Sequence, residues 1–145
     1  FQGVEHRIEL CNEIDGIRFV NDSKGTNPDA AIRAIEAMKR DIILIAGGYD
    51  KGASFDEFVN AFDGKVKALV LLGKTATKIK EAAEKAGFTN TVILKDMEAC
   101  VREAYRLAES GDVVLLSPAC ASWDMYTSFE QRGEHFKACV RELER

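Results

Sequence analysis

The sequence predicts an α/β fold with a mostly parallel sheet, and two features of its hydrophobic patterning indicate this. Continuous apolar segments of strand length recur along the chain, as expected for strands that are buried on both faces. Amphipathic helical segments separate them, so that strand and helix alternate. We therefore expect a Rossmann-like three-layer sandwich: a mostly parallel sheet of about six strands, helices on both faces, and a hairpin strand at one edge.

Each element has a local signal. The first two apolar segments, 7–12 and 17–21, flank the turn-forming residues 13–16 and predict a hairpin. Further strands are predicted at 41–46, 65–72, 91–94 and 112–116. Helices are predicted at 27–39, 55–62, 75–86, 97–109 and 129–144. Asn27 and Pro28 are a favourable N-cap and first residue for the first of these helices.

Length and composition are those of one folded domain over residues 1–145. Hydrophobic residues make up 46% and charged residues 30%, a balance that excludes a disordered chain. The net charge is -4 without a basic stripe, so nucleic acid is not expected as a partner. Apolar segments are too short to cross a membrane and no signal segment is evident. We expect a cytoplasmic monomer that binds no membrane.

No metal site or nucleophilic cysteine is predicted. The chain contains four cysteines: Cys11, Cys100, Cys120 and Cys139. They lack the paired spacing of zinc ligands, so we expect reduced thiols. A nucleophilic Cys120 would need a histidine base, and the spacing links neither His6 nor His135 to it.

The loop after the second strand, residues 21–28, carries the strongest functional signal, because ligands of open parallel sheets bind beyond the carboxyl ends of the strands. Lys24 stands just before a helix N-terminus, where a cation gains nothing from the helix dipole. A lysine there indicates an anion site, to which Thr26 adds a hydroxyl donor. Asp22 has two interpretations: contact with ribose hydroxyls or an Asx-type turn.

Two further loops carry residues suited to the same ligand. Gly47 and Gly48 allow a close backbone approach, and Lys51 follows them. Together with Lys24 on what we expect to be the adjacent loop, Lys51 predicts two fixed cations that face one small dianion. The loop after the last strand, residues 117–122, is predicted to turn backbone N–H groups and Ser122 toward an anion.

Residues 73–75 read Gly-Lys-Thr, like the end of a P-loop. Ala68 stands where that motif needs its first glycine, so the P-loop interpretation fails. No triphosphate-binding loop is therefore predicted in this chain, and Lys74 is expected at the surface.

Several motifs together resemble the C-terminal domain of the Mur ligase family, and in particular of its D-glutamate-adding members. They comprise His6 with Arg7 and the segments 21–28 (NDSKGTNP), 47–51 (GGYDK), 117–122 (SPACAS) and 129–133 (FEQRG). Their order and spacing agree over nearly the whole chain. Segments 21–24 and 117–122 resemble this branch specifically, since sister ligases carry a Tyr-Ala-His sequence at the first loop.

The resemblance implies one domain of a three-domain, ATP-dependent ligase of peptidoglycan synthesis. Such enzymes add D-glutamate to UDP-N-acetylmuramoyl-L-alanine through an acyl phosphate. Two other domains would bind the UDP-sugar and, together with Mg²⁺, the ATP. They would also supply the family's catalytic histidine and metal ligands. This chain would place the amine nucleophile, bind no cofactor alone, and be inactive by itself.

The resemblance also implies roles for individual residues. The two carboxylates of D-glutamate would be held by Lys24, Thr26, Lys51, Ser122 and the region of Phe129. Arg7 and Asp22 would contact the nucleotide when the domains close, with Asp22 at the ribose. Lys24 would have a catalytic role as well, near the transferred phosphate.

Two other hypotheses stay open. A sister ligase specific for another amino acid, such as a folate-type polyglutamate synthetase, is disfavoured by segment 21–24. A stand-alone α/β module would bind a nucleotide or an amino acid without catalysis. An upstream reading frame of about 300 residues that contains a P-loop would support the ligase over the module.

Overall fold

The computed structural model describes residues 4–144, which form six strands and five helices. The strands are β1 (Glu9–Ile14), β2 (Ile17–Asn21), β3 (Ile42–Ala46), β4 (Val66–Leu71), β5 (Thr91–Ile93) and β6 (Val113–Leu116). The helices are α1 (Pro28–Ala37), α2 (Asp56–Asn60), α3 (Ala76–Lys85), α4 (Met97–Leu107) and α5 (Phe129–Glu142). Each predicted element is present, and its ends lie within two residues of the prediction.

The strands form one sheet in the order β1-β2-β6-β3-β4-β5. The β1–β2 pair is antiparallel, and the other four pairs are parallel. This arrangement confirms the predicted mostly parallel sheet with a hairpin at one edge. It also places β6, the last strand in the chain, between β2 and β3.

Two hydrophobic clusters, one on each face of the sheet, confirm the three-layer sandwich. Helices α1, α2 and α3 pack on one face, where Leu44 and Leu69 contribute from the sheet. Helices α4 and α5 pack on the other face, with Ile43 and Ile45. The alternation of β3 side chains between the clusters explains why its sequence is apolar throughout. Each fully buried side chain of this size stabilises the fold by about 1.5–3 kcal/mol.

The hairpin starts later than the sequence suggests. Residues 7–8 were predicted in the strand, but β1 begins at Glu9. The reason is tertiary: His6 and Ile8 have positive φ values of 65° and 47°, and the Ile8 N–H donates to the Asp22 carboxylate at 3.1 Å. This turn directs Arg7 away from the sheet and toward the loop that follows β2.

Local capping explains where the helices begin. The side chain of Asn27 accepts a hydrogen bond from the Ala30 N–H at 2.9 Å, which confirms the predicted N-cap of α1. Ser128 caps α5 in the same way through the Gln131 N–H, at 3.1 Å. Within residues 4–144, no helix combines the length and the apolar character that crossing a bilayer requires.

Candidate functional site at the carboxyl edge of the sheet

The loops that follow β2, β6, β3 and β4 lie at one edge of the sheet, because these four strands run parallel. This confirms the predicted edge. However, one expectation was wrong: the loops that carry Lys24 and Lys51 were expected to be adjacent, and they are not direct neighbours. Since β6 lies between β2 and β3, the loop that follows β6 separates them.

Backbone hydrogen bonds join the three loops. The Ala119 N–H donates to the Gly25 carbonyl at 2.9 Å, which connects the loops after β6 and β2. Tyr49 and Ala121 exchange two hydrogen bonds, at 2.9 and 2.8 Å, which connect the loops after β3 and β6. The N–H groups of Ala119 and Ala121 are therefore used inside the fold and do not face an anion. Because these hydrogen bonds already hold the three loops together, the edge is pre-organised before any ligand binds.

Arg132 of α5 stabilises the same arrangement and was missed as a site residue. Its side chain is 3% exposed. The guanidinium donates to the Ser23 hydroxyl at 2.9 Å, to the Ser23 carbonyl at 2.7 Å and to the Cys120 carbonyl at 3.0 Å. Burial lowers the pKa of Arg132 to about 10, so it remains charged at neutral pH. The sequence signal that could have indicated its burial is the helical spacing of Arg132 from the apolar residues Phe129 and Phe136.

Asp22 is buried at the end of β2, and both of its carboxylate oxygens have partners. Oδ1 accepts from the Ile8 N–H, and Oδ2 accepts from the Ser117 hydroxyl at 2.7 Å. Burial raises the pKa of Asp22 despite these bonds and the nearby charges of Arg7 and Arg132. These side-chain bonds reach distant segments, so they do not form the local Asx-type turn that was one interpretation.

Asp22 also lines a cavity of about 350 Å³ that is rich in positive charge. Arg7, Lys24 and Arg33 contribute to its wall. Within residues 4–144, none of these three cations forms a salt bridge. A cavity lined by three cations is suited to a polyanion such as a phosphate chain.

His6 holds the turn that carries Arg7. The Asn21 amide lies 2.8 Å from His6 Nδ1, and because an amide nitrogen only donates, Nδ1 is the acceptor. The rings of Phe129 and His6 pack nearly perpendicular to each other, with centroids 6.2 Å apart. The Phe129 carbonyl accepts from the Ser23 hydroxyl at 2.7 Å. Phe129, a predicted substrate-binding residue, is thus held by contacts with both His6 and Ser23.

Glu5, His6 and Glu134 come close enough to suggest a cation site. The Lys137 ammonium forms salt bridges with two members of this cluster, at 3.0 Å from Glu5 and 3.2 Å from Glu134. Burial opposes its charge, but hydrogen bonds with the surrounding glutamates raise the pKa of Lys137 above the ordinary lysine value. The cluster therefore holds a lysine, and its chemistry gives no reason to place a metal ion there.

Lys51 is exposed after β3, and its ammonium lies over the indole ring of Trp123, 4.6 Å from the ring centroid. The neighbouring Asp50 carboxylate has other partners: the Ala53 N–H at 3.0 Å, the Gly52 N–H, and Lys78 at 3.3 Å. Among residues 4–144, Lys51 has no carboxylate partner. This leaves the lysine available to an external anion.

Two residues of the loop after β6 differ in what they can do. Ser122 is buried, and its carbonyl accepts from the N–H groups of Met125 and Tyr126. The Ser122 hydroxyl makes no hydrogen bond within residues 4–144, so it is free to bind a ligand. Cys120 is buried at 3.2 Å from the Thr75 hydroxyl, and burial raises the pKa of its thiol to about 11. A raised pKa disfavours the thiolate that a nucleophilic cysteine needs at neutral pH.

The predicted site residues therefore fall into two groups along one edge. Arg7, Asp22 and Lys24 surround the cationic cavity next to β2. Lys51 and Ser122 lie on the joined loops after β3 and β6. Thr26, half-buried, follows Lys24 in the loop, where its N–H donates to the Lys24 carbonyl at 2.8 Å.

Comparison with known proteins agrees with this architecture. Solved structures that share the fold include the UDP-N-acetylmuramate-alanine ligase of Thermotoga maritima, with a TM-score of 0.69 and 14% identity over 99% of this chain and 31% of that one. Another is the bifunctional folylpolyglutamate synthase/dihydrofolate synthase of Yersinia pestis, with a TM-score of 0.66 and 15% identity over 99% of this chain and 32% of that one. At such low identity these similarities show the fold alone.

Sequence comparison is more specific. The chain is 60% identical to the UDP-N-acetylmuramoylalanine–D-glutamate ligase of Thermoanaerobacter sp. strain X514, over 100% of the chain and 32% of that ligase. It is 56% identical to the ligase of the same name from Clostridioides difficile, over 99% of the chain and 32% of that ligase. The chain thus spans about a third of the length of these relatives. Residues 6–120 match the model of the glutamate ligase domain of Mur ligases, and the chain therefore belongs to that family.

Proposed function

We propose that this chain is the D-glutamate-binding C-terminal domain of an ATP-dependent ligase that adds D-glutamate to UDP-N-acetylmuramoyl-L-alanine in peptidoglycan synthesis. The observation that carries the proposal is that two lysines at a pre-organised edge of the sheet, Lys24 and Lys51, have no carboxylate partner among residues 4–144. The name shared by the 60% and 56% identical relatives supports this substrate over other dianions.

The amino acid would bind across the loops that follow β2, β6 and β3. Lys24 and Lys51 would pair with its two carboxylates, and Thr26 and Ser122 would donate hydroxyl hydrogen bonds. Phe129 would act through its position at the start of α5, where it anchors Ser23. Two cations separated by a loop suit a ligand with two separated negative charges better than a single carboxylate.

The nucleotide would approach the cationic cavity next to β2. Arg7 would contact it from the turn at His6, and Lys24 would reach the transferred phosphate. A ribose hydroxyl would donate to Asp22, because a carboxylate has more lone pairs than the two that Ile8 and Ser117 use. Lys24 would lie between the two groups of residues and contribute to both.

In the reaction, the muramoyl-alanine carboxylate accepts the γ-phosphate of ATP and ADP is released. The D-glutamate amine then attacks the carbonyl of the acyl phosphate and loses a proton, and the amide forms as phosphate leaves. Mg²⁺ and most of the ATP site would belong to the part of the enzyme beyond this chain. The contribution of this chain is to hold the amine in place and to stabilise the charge that develops near Lys24. The enzyme would be a cytoplasmic monomer of three domains, and this chain alone would be inactive.

A chimera tests the proposal. The last third of the Thermoanaerobacter ligase is replaced by this chain, and phosphate release is measured with ATP, UDP-N-acetylmuramoyl-L-alanine and an amino acid. We expect release with D-glutamate and little with L-glutamate. A chimera that forms the acyl phosphate but uses another amino acid would indicate a sister ligase. One that uses none would contradict the proposal and favour the non-catalytic module.

A further inference from the structure

Trp123 is the single tryptophan of the sequence, and it is 60% exposed. Placing a large apolar side chain in water gains none of the free energy that burial provides. Its contacts with the packed core do not account for its position. Its contact with Lys51 does, because the ammonium lies 4.6 Å from the indole centroid.

The indole belongs to a short stack of rings and cations. Tyr49 packs against Trp123, with ring centroids 5.7 Å apart. The Lys74 ammonium lies 5.9 Å from the Tyr49 centroid, at the limit of a cation–π contact. The stack brings together the loops that follow β3, β4 and β6.

The backbone on both sides of Trp123 is fixed. Ala121, two residues earlier, exchanges two hydrogen bonds with Tyr49. Asp124, the next residue, accepts a hydrogen bond from the Lys74 N–H at 2.9 Å. The backbone that carries the indole is therefore held by its neighbours, and the ring packs against Tyr49. The long side chain of Lys51 is the more flexible partner in the contact.

The choice of an aromatic partner for Lys51 has a chemical consequence. A carboxylate partner would neutralise the lysine and compete with any anionic ligand. An indole face attracts the ammonium without neutralising it, and the three N–H donors of the ammonium are still able to reach a carboxylate. Since Asp50 and Asp124 both have other partners, the charge of Lys51 is kept available.

We propose that Trp123 is a positioning residue for ligand binding: it holds the Lys51 ammonium over its ring, so that less side-chain motion is lost when a ligand carboxylate binds Lys51. The identity of the ligand, D-glutamate, rests on the proposed function. The positioning itself rests on the geometry of the loops.

Proton NMR of the 145-residue chain tests the positioning. In the wild type, we expect the Lys51 ε-methylene protons upfield of those of the other lysines, because they lie in the ring current of the indole. Trp123→Leu removes this shift, and Trp123→Phe retains part of it. Met125→Ala, at an exposed residue of the same loop, leaves it unchanged. Ordinary Lys51 shifts in the wild type would overturn the proposal.

Titration of the same four chains with D-glutamate tests the effect on binding. A cation–π contact at an exposed site is worth about 0.5–1 kcal/mol, so Trp123→Leu should weaken binding about two- to five-fold. Trp123→Phe should recover part of the loss, and Met125→Ala should bind like the wild type. Equal affinities of the wild type and Trp123→Leu would overturn this inference alone. A wild type with shifted Lys51 protons that does not bind D-glutamate would instead refute the proposed function and its ligand.

Discussion

The guanidinium of Arg132 donates to the carbonyl of Ser23 at 2.7 Å and to its hydroxyl at 2.9 Å, across 109 residues of sequence. A third hydrogen bond, to Cys120, connects the same side chain to the loop after β6. One buried residue thus aligns the two segments that carry Lys24 and Ser122. The geometry of the edge depends on α5 as much as on the loops themselves.

Arg132→Lys should destabilise the chain by about 2–3 kcal/mol, because a lysine keeps the charge but does not span three acceptors. Arg141→Lys, in the exposed last turn of the same helix, should change the free energy of unfolding by less than about 0.5 kcal/mol. Urea denaturation measures both. Equal stability of the two variants would show that Arg132 does not hold the loops together.

Gly133→Ala should also destabilise the fold, although alanine favours a helix by about 1 kcal/mol. An added Cβ would lie 2.1 Å from His6 Nδ1 and 3.0 Å from the Asn21 amide, so the hydrogen bond between them would break. We expect a net loss of about 2 kcal/mol in urea denaturation. Ala138→Gly, elsewhere in α5, calibrates helix propensity. A Gly133→Ala variant as stable as the wild type would contradict the packing described for His6.

Asp22→Asn should increase stability at neutral pH. Burial raises the pKa of Asp22 in the folded chain, so the folded state binds the proton more tightly than the unfolded state does. The stability of the wild type therefore falls as the pH rises from the unfolded pKa of about 3.8 through the higher folded pKa. Asparagine keeps an acceptor for Ile8 and a partner for Ser117 without the charge. Thermal unfolding as a function of pH measures the difference between variant and wild type, which should grow over this range.

Asp63→Asn, at an exposed turn, serves as the control for Asp22→Asn and should follow the wild-type profile. If Asp22→Asn is less stable than the wild type at pH 7, the carboxylate stabilises the fold more than its burial destabilises it. That result would contradict the electrostatic account of Asp22.

Glu9→Gln should lower stability at neutral pH and have less effect in acid. Burial opposes the charge of Glu9, but hydrogen bonds from His6, Lys137 and Asn21 lower its pKa overall. Its contribution is therefore present above the unfolded pKa of about 4.5 and is lost as pH falls through the lower folded value. Because the carboxylate is partly exposed and screened, we expect a loss of about 0.5–1 kcal/mol at pH 7.

Urea denaturation at pH 7 and pH 3 measures this effect, with Glu84→Gln on the exposed side of α3 as the control. The control should match the wild type at both values of pH. A Glu9→Gln effect that is as large at pH 3 as at pH 7 would show that it does not arise from the charge.

The elements of the fold could be predicted because their signals are local. The apolar segments of β3, β4 and β6 and the N-cap Asn27 each depend on neighbouring residues only. Strand order depends on contacts between distant segments, so the sequence could not show that β6 separates the loops of Lys24 and Lys51. The left-handed backbone at Ile8 was equally hidden, since it depends on a hydrogen bond to Asp22.

The candidate site was predicted in part. Residues at loop positions after parallel strands, such as Lys24 and Ser122, follow from the general geometry of such sheets. Arg132 acts over long range through backbone carbonyls, and its helical spacing from Phe129 and Phe136 indicates burial but not these partners. The contact between Trp123 and Lys51 joins residues that are far apart in sequence, and only the structure brings them together.

The most direct test of the central claim is an amide-resolved NMR titration of the chain with D-glutamate and then with L-glutamate. We predict shifts confined to residues 22–27, 47–52 and 117–129, larger with the D enantiomer, because the loops are joined before the ligand binds. Lys51→Met should abolish them, while Lys85→Met, in the exposed last turn of α3, should not. Shifts outside these loops, equal responses to both enantiomers, or no response in these loops at saturating D-glutamate would contradict a preformed D-glutamate site at this edge.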